Sequence, residues 1–218
     1  MLIKINNDSK TVKIKIDPSD WVGNRIRSTK NFYEIQLLNF IKERFSNKSA
    51  TNVIDIGANI GNHTIFFATY VFNTVYSFEP NTKNYSLLCE NCKLNGLEKK
   101  IKPYNIAISD KNENYKTFDF IGNMGRSYIE ENPIHGDGIT KKIDDFIFNN
   151  IGLIKIDVEG YEPKVLIGAK NTIELHSPEI VLECNYEYEL EAVTPIISSY
   201  NYKMIKKIDN MYYYVKNI

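Results

Sequence analysis

The stretch Asn52–Thr64, NVIDIGANIGNHT, constrains this chain more than any other. Val53 to Ile56 lacks the alternation of a surface strand and suits one buried on both faces of a parallel sheet. Gly57 and Gly61 then bracket a tight turn, and the apolar run after them has helical spacing. A strand that stops in a Gly-rich turn and opens a helix is where α/β proteins bind nucleotide-like ligands. The same pattern places Asp55 at the strand's carboxyl end, where a carboxylate can face a ligand.

The turn also narrows the ligand. Dinucleotide sites use G-x-G-x-x-G, so that backbone can press against a pyrophosphate. Position 59 here is Asn. A D-x-G-x-x-x-G turn carrying a carboxylate suits a ligand without phosphate and with a cationic amino-acid end, which describes S-adenosylmethionine (SAM). Downstream, TVYSFEPN (Thr74–Asn81) reads as a second strand ending in Glu79. An acidic residue ~20 positions past the turn is where a ribose-binding carboxylate falls in a βαβ unit.

The 218 residues are enough for one enzyme-sized domain, so 1–218 is expected to be a single unit. With 27 basic and 27 acidic residues the chain carries no net charge, which argues against a nucleic acid partner. No apolar run approaches the ~20 residues of a membrane span, and the N-terminus MLIKINNDSK lacks the core of a signal peptide. The expected location is therefore cytoplasmic; oligomeric state is not legible. Cys89 and Cys92 form a C-x-x-C pair, but they sit in a helical pattern with no further ligands for zinc and read as packed thiols.

Alternating stretches at Leu2–Asn6 and Thr11–Ile16 predict an N-terminal hairpin. Phe32, Ile35, Leu38, Ile41 and Phe45 predict one amphipathic helix. Core strands are predicted at 52–56, 74–79, 101–106, 151–157 and 179–184, with helices at 82–95 and near 162–167. The last two strands, near 202–207 and 211–216, flank a short Asp209–Asn210 turn, so the final strand should run antiparallel. Residues 109–142 break the alternation with four glycines and little periodicity. Residues 1–50 read as an N-terminal extension and 109–142 as an irregular lid or acceptor-binding insertion.

Polar residues gather at the predicted strand ends: Asp55, Glu79, Asn105, Asp157 with Glu159, and Glu183 with Asn185. Such a row of carboxylates would steady a sulfonium cation. A divalent ion could also use Asp157, Glu183 and Asn185 as oxygen ligands, although no metal ligand set is assigned.

In this order, VIDIGANIGNHT, SFEPN, NIAISD and IKIDVEGYEPKVLIGA resemble the FkbM family of SAM-dependent methyltransferases. The resemblance implies an α/β, Rossmann-like class I methyltransferase fold, a mostly parallel sheet of seven strands with the last antiparallel. It implies that Asp55, Gly57, Asn59 and Gly61 hold the methionine moiety and Glu79 the ribose, with Pro80 and Asn81 beside it. Asn105 and Ala107 would border the adenine, and Asp157 would face the reacting centre. Family members mostly methylate hydroxyl oxygens of sugars and secondary metabolites, so the expected acceptor is a sugar or other small molecule.

An alcohol must lose its proton as it attacks a methyl group. Asp157 is the first candidate base, His135 the second and Glu183 the third. Of the other rival histidine bases, His63, just after Gly61, reads as packing or hydrogen bonding around the cofactor, and His176 as structural. A SAM-binding module without catalysis is the alternative. An NAD-dependent oxidoreductase is disfavoured by Asn59 and the carboxylates at 157 and 159.

Overall fold

The computed structural model describes residues 1–118, 128–131 and 136–217. Strands β1 (Leu2–Asn7) and β2 (Lys10–Lys15) form the expected hairpin, with Ile3 opposite Ile14 and Ile5 opposite Val12 on its buried face. Helix α1 (Trp21–Thr29) was not anticipated. It buries only Val22, Gly23 and Ile26, too few apolar positions for a clear period, and owes its start to Asp20, whose carboxylate accepts from Gly23 N at 2.8 Å. Helix α2 (Ile35–Phe45) starts later than the apolar spacing suggests, because Glu34 adopts a left-handed conformation at φ 55°. Arg44 then donates twice to Glu179, at 2.6 and 2.7 Å, and pins α2 to the sheet.

From Asn52 the chain alternates as expected: β3 (Asn52–Ile56), α3 (Asn62–Tyr70), β4 (Val75–Phe78), α4 (Thr82–Leu94) and β5 (Ile101–Tyr104). Next come β6 (Asn114–Phe118), β7 (Tyr128–Glu131) and β8 (Gly138–Ile139). The remainder is β9 (Ile151–Ile156), α5 (Glu162–Gly168), α6 (Lys170–His176), β10 (Glu179–Glu183), α7 (Glu187–Ser199), β11 (Tyr202–Ile208) and β12 (Met211–Lys216). The main sheet has seven strands in the order β11-β12-β10-β9-β3-β4-β5. β12 lies between β10 and β11 and is antiparallel to both, while the pairings among β10, β9, β3, β4 and β5 are parallel.

The sheet is buried on both faces, which is why β3 and β9 show no polar alternation. Val53, Val75, Leu153 and Val181 face the N-terminal hairpin, α2 and α3. Ile54, Ile56, Ile154, Ile156, Ile180 and Leu182 face α5 to α7. Cys92 and Cys184 are buried in these two cores as packed thiols, and Cys89 is half-buried.

Several strands end earlier than the apolar runs suggest. Glu79, Asn105 and Asp157 are the residues just past the ends of β4, β5 and β9. The segment read as irregular at 109–142 carries a second, antiparallel sheet in the order β7-β6-β8. Its strands are too short, and too lightly buried, to leave a period in the sequence.

Candidate active site

The site begins with a polar row inside the sheet. Asp55 and Lys155 are register partners on β3 and β9, and Ser77 on β4 is the next partner of Asp55. The alternation that sends Ile54 and Ile154 into one core turns Asp55 and Lys155 to the opposite face. Both are buried, at 0% and 1% exposure. Lys155 Nζ donates to Gly57 O at 2.9 Å and lies 3.3 Å from Asp55 Oδ1 and 3.1 Å from Asp157 Oδ2. Thr64 Oγ1 donates to Asp55 Oδ2 at 2.6 Å and lies 3.0 Å from Ser77 Oγ. Burying an ion costs several kcal/mol; each neighbouring Ile contributes about 1.5–3 kcal/mol, so the row is affordable only where apolar rungs surround it. Burial works to lower the Lys155 pKa, but Asp157 and Asp55 outweigh it and hold the ammonium above its ordinary range. Lys155 carries no site role in the sequence reading. Its signal is a lysine inside the apolar run Leu153–Ile156.

Above the row sits the turn. Gly57 has φ 77°, and a Cβ there would lie 1.7 Å from Asp157 O, so only glycine lets the turn pack on the end of β9. Asn59, at φ 49°, donates its N–H to Glu79 Oε2 at 2.7 Å, while Asn81 N donates to Oε1 at 2.9 Å. Burial pushes the Glu79 carboxyl up to about 7, against the pull of these two N–H groups. Glu79 and Pro80 form one wall of a narrow slot; Phe78, Ala107, Ile129, Val158 and Tyr161 form much of the rest. Among the described residues, no Lys or Arg lines the slot.

A second, larger cavity of about 850 Å³ opens on the other side of the turn. Gly57, Asn59, Asp157 and Glu159 line both spaces, so the two lie against opposite sides of the same turn. The far wall is the N-terminal arm, with Trp21, Arg25, Tyr33 and Glu34. Asn62 holds that arm in place: its Oδ1 accepts from Tyr33 N at 3.0 Å and its Nδ2 donates to Tyr33 O at 3.1 Å. The Trp21 and Tyr33 rings meet edge to face with centroids 5.4 Å apart.

The floor is acidic. Asp157 and Glu183 share a hydrogen bond. Burial acts to raise Asp157, but the Lys155 ammonium and that hydrogen bond prevail and keep it below the usual carboxylate range. Burial and the Asp157 charge push Glu183 up to about 10, so the pair's proton rests on Glu183 at neutral pH. Asp157, Glu159 and Glu183 bring carboxylate oxygens within 4.8 Å of one another, a set with the chemistry to hold a divalent ion.

The sequence-predicted residues therefore divide. Gly57, Asn59, Glu79, Pro80, Ala107, Asp157 and Glu183 line one or both cavities. Asp55, Gly61, Asn81 and Asn105 line neither. Asp55, expected to face a ligand, is sealed under Lys155 and Thr64. Gly61 (φ 89°) packs so close to Leu88 that a Cβ would lie 2.6 Å from Cδ1. Asn81 caps α4, and Asn105 Nδ2 bonds Glu79 O and Pro80 O at 2.8 and 3.0 Å. His135 lies outside the described residues. His176 ends α6 and lines neither cavity. His63, read as packing, lines the large cavity with Nε2 3.2 Å from Glu34 Oε2.

The model of the methyltransferase FkbM domain matches residues 55–204. No curated protein sequence matches the chain. Among solved structures, a methyltransferase FkbM from Methylobacillus flagellatus KT superposes with TM-score 0.56 at 21% identity, covering 76% of this chain. The chain spans 43% of the length of that relative. A ribosomal protein L11 methylase from Lactobacillus delbrueckii subsp. bulgaricus gives TM-score 0.55 at 12% identity, covering 84% of this chain and 78% of its own. An rRNA methylase from Streptococcus thermophilus gives 0.52 at 13%, covering 83% and 94%. At these identities the likeness is one of fold.

Proposed function

The chain belongs to the FkbM methyltransferase family, and from that premise we propose that it transfers a methyl group from SAM to a hydroxyl oxygen of a sugar or other small metabolite. The residues present fit the donor. The slot offers apolar walls for a purine, and Glu79 at its edge keeps lone pairs to spare for a ribose diol after accepting two backbone N–H groups. Among the described residues it offers no cation for a phosphate, as a dinucleotide would require. Gly57 and Asn59 would pass the methionine portion over the turn toward Asp157. When bound, SAM supplies an electrophilic methyl group on a positively charged sulfur.

The observation that carries the reading is that the slot and the 850 Å³ cavity share Gly57, Asn59, Asp157 and Glu159 as lining, so both meet at the turn. A small acceptor placed there meets the ionised Asp157, the protonated Glu183, and the Trp21 and Tyr33 rings of the arm. Asp157 faces the charge of the donor and can orient an acceptor hydroxyl; Glu183 can donate to a neighbouring oxygen. A lining this rich in carboxylates works against polyanionic acceptors, which supports a small neutral or cationic molecule over RNA. A cytoplasmic setting goes with this reading. No helix among the described residues is long and apolar enough to cross a membrane.

Purified protein incubated with methyl-labelled SAM should label members of a panel of methyl glycosides and nucleotide sugars. Label appearing only in added ribosomal RNA or ribosomal protein would overturn the choice of acceptor. SAM that binds but labels nothing would favour a binding module.

A further inference from the structure

The large cavity contains an imidazole that neither the motif nor the family match assigns a task. His63 is buried in the first turn of α3, beside the Gly57–Gly61 turn. Its Nε2 lies 3.2 Å from Glu34 Oε2. Glu34 reaches that place from the far side of the cavity, in a left-handed conformation (φ 55°, ψ 38°) that a non-glycine residue adopts at an energetic cost. The neighbouring Asn62–Tyr33 pair of hydrogen bonds holds the backbone there. Both atoms are buried and neither has a hydrogen-bond partner, so the carboxylate is placed to take up a proton carried on Nε2, which leaves the other ring nitrogen to accept one. Glu34 lies outside residues 55–204, so this contact belongs to this chain's N-terminal arm and not to the family match.

We propose that His63, held by Glu34, is the general base of methyl transfer, taking the proton of the acceptor hydroxyl inside the cavity it shares with Asp157 and Glu183. This rests on the O-methylation reading above. The carboxylates first suggested by the sequence are poorly suited to the task. Asp157 is already engaged by Lys155 at 3.1 Å and bonded to Glu183, and Glu183 holds the pair's proton. In the step, a lone pair of the acceptor oxygen forms the new O–C bond as the methyl–sulfur bond breaks. The bonding pair stays on sulfur, leaving a neutral thioether, and the hydroxyl proton passes to the His63 ring. Glu34 stabilises the resulting imidazolium as a positioning residue. Besides Glu34, the charged groups sharing the cavity with the imidazole are Arg25, Lys155, Asp157, Glu159, Glu183 and Asp209.

The test uses the full chain, the methyl glycoside panel as acceptor probe, and NMR of labelled histidine side chains, of which there are three. His63→Gln should lower kcat by ~10²–10⁴-fold while SAM affinity by calorimetry stays within about twofold of wild type. Glu34→Gln replaces the carboxylate facing Nε2 with an amide that can itself donate to that nitrogen, so the His63 ring-nitrogen chemical shifts, which report its tautomer, should change and kcat should fall. His63→Gln with near wild-type kcat would overturn the proposal. So would His63 ring-nitrogen shifts that Glu34→Gln leaves in place, and that NMR result stands even if no glycoside takes label. Failure of labelling by wild-type protein alone counts against the choice of acceptor, since it leaves the His63–Glu34 coupling measurable.

Discussion

The backbone N–H of Asn59 donates to the Glu79 carboxylate at 2.7 Å, so the turn after β3 and the residue after β4 form a single wall. That link makes Glu79 a brace for the turn, and in the proposed donor site the same carboxylate accepts from a ribose diol. Glu79→Ala is expected to weaken SAM binding by about 1.5–3 kcal/mol, the usual worth of hydrogen bonds to a charged group. Calorimetry showing unchanged affinity would remove Glu79 from the donor site.

The same carboxyl makes binding pH-dependent. Burial raises Glu79 to about 7, so it gains a proton as pH falls through that value and loses part of its acceptor capacity. SAM affinity should decline from pH 8 to pH 6, and the decline should flatten in Glu79→Gln. A parallel decline in both proteins would place the titrating group elsewhere.

Lys155→Met should destabilise the fold by about 3–5 kcal/mol, because it leaves Asp55 and Asp157 without their buried counter-ion. Urea unfolding followed by fluorescence measures this. A loss below about 1 kcal/mol would mean that the row is no more valuable than a surface ion pair.

Glu183 links stability to alkaline pH. Its pKa in the folded chain is raised above the ordinary value, so the folded state holds a proton that the unfolded state has released. Its contribution is therefore present in full at acid pH and is lost as pH rises toward about 10. Thermal unfolding should show stability falling from pH 7 to pH 10 in the native chain. Glu183→Gln, which mimics the protonated form, should show a shallower fall. Identical slopes would refute the shared proton.

Trp21 stands at the cavity mouth, 45% exposed, with its ring edge-to-face against Tyr33. Trp21→Ala should raise the KM for a glycoside acceptor by about tenfold, equivalent to ~1.4 kcal/mol, with SAM affinity unchanged. Equal losses for donor and acceptor would mean that the arm shapes the donor site as well.

What the sequence by itself determined is local in origin. The β3 run and its glycines, the ~20-residue step to Glu79 and the Asp209–Asn210 hairpin each depend on neighbours a few bonds or one βα unit away. They sufficed for the sheet, its antiparallel strand and the Glu79 wall of the slot. Short, lightly buried elements such as α1 and β6 to β8 left no period to read. What only the tertiary structure decided are pairings between distant residues. Asp55 meets Lys155 because parallel register puts them on one rung, and that rung buries Asp55 away from the ligand it was expected to face. Glu34 meets His63 because Asn62 ties the arm to α3. Neither contact has a spacing rule, since each depends on how two separate elements pack, and packing is a property of the whole core.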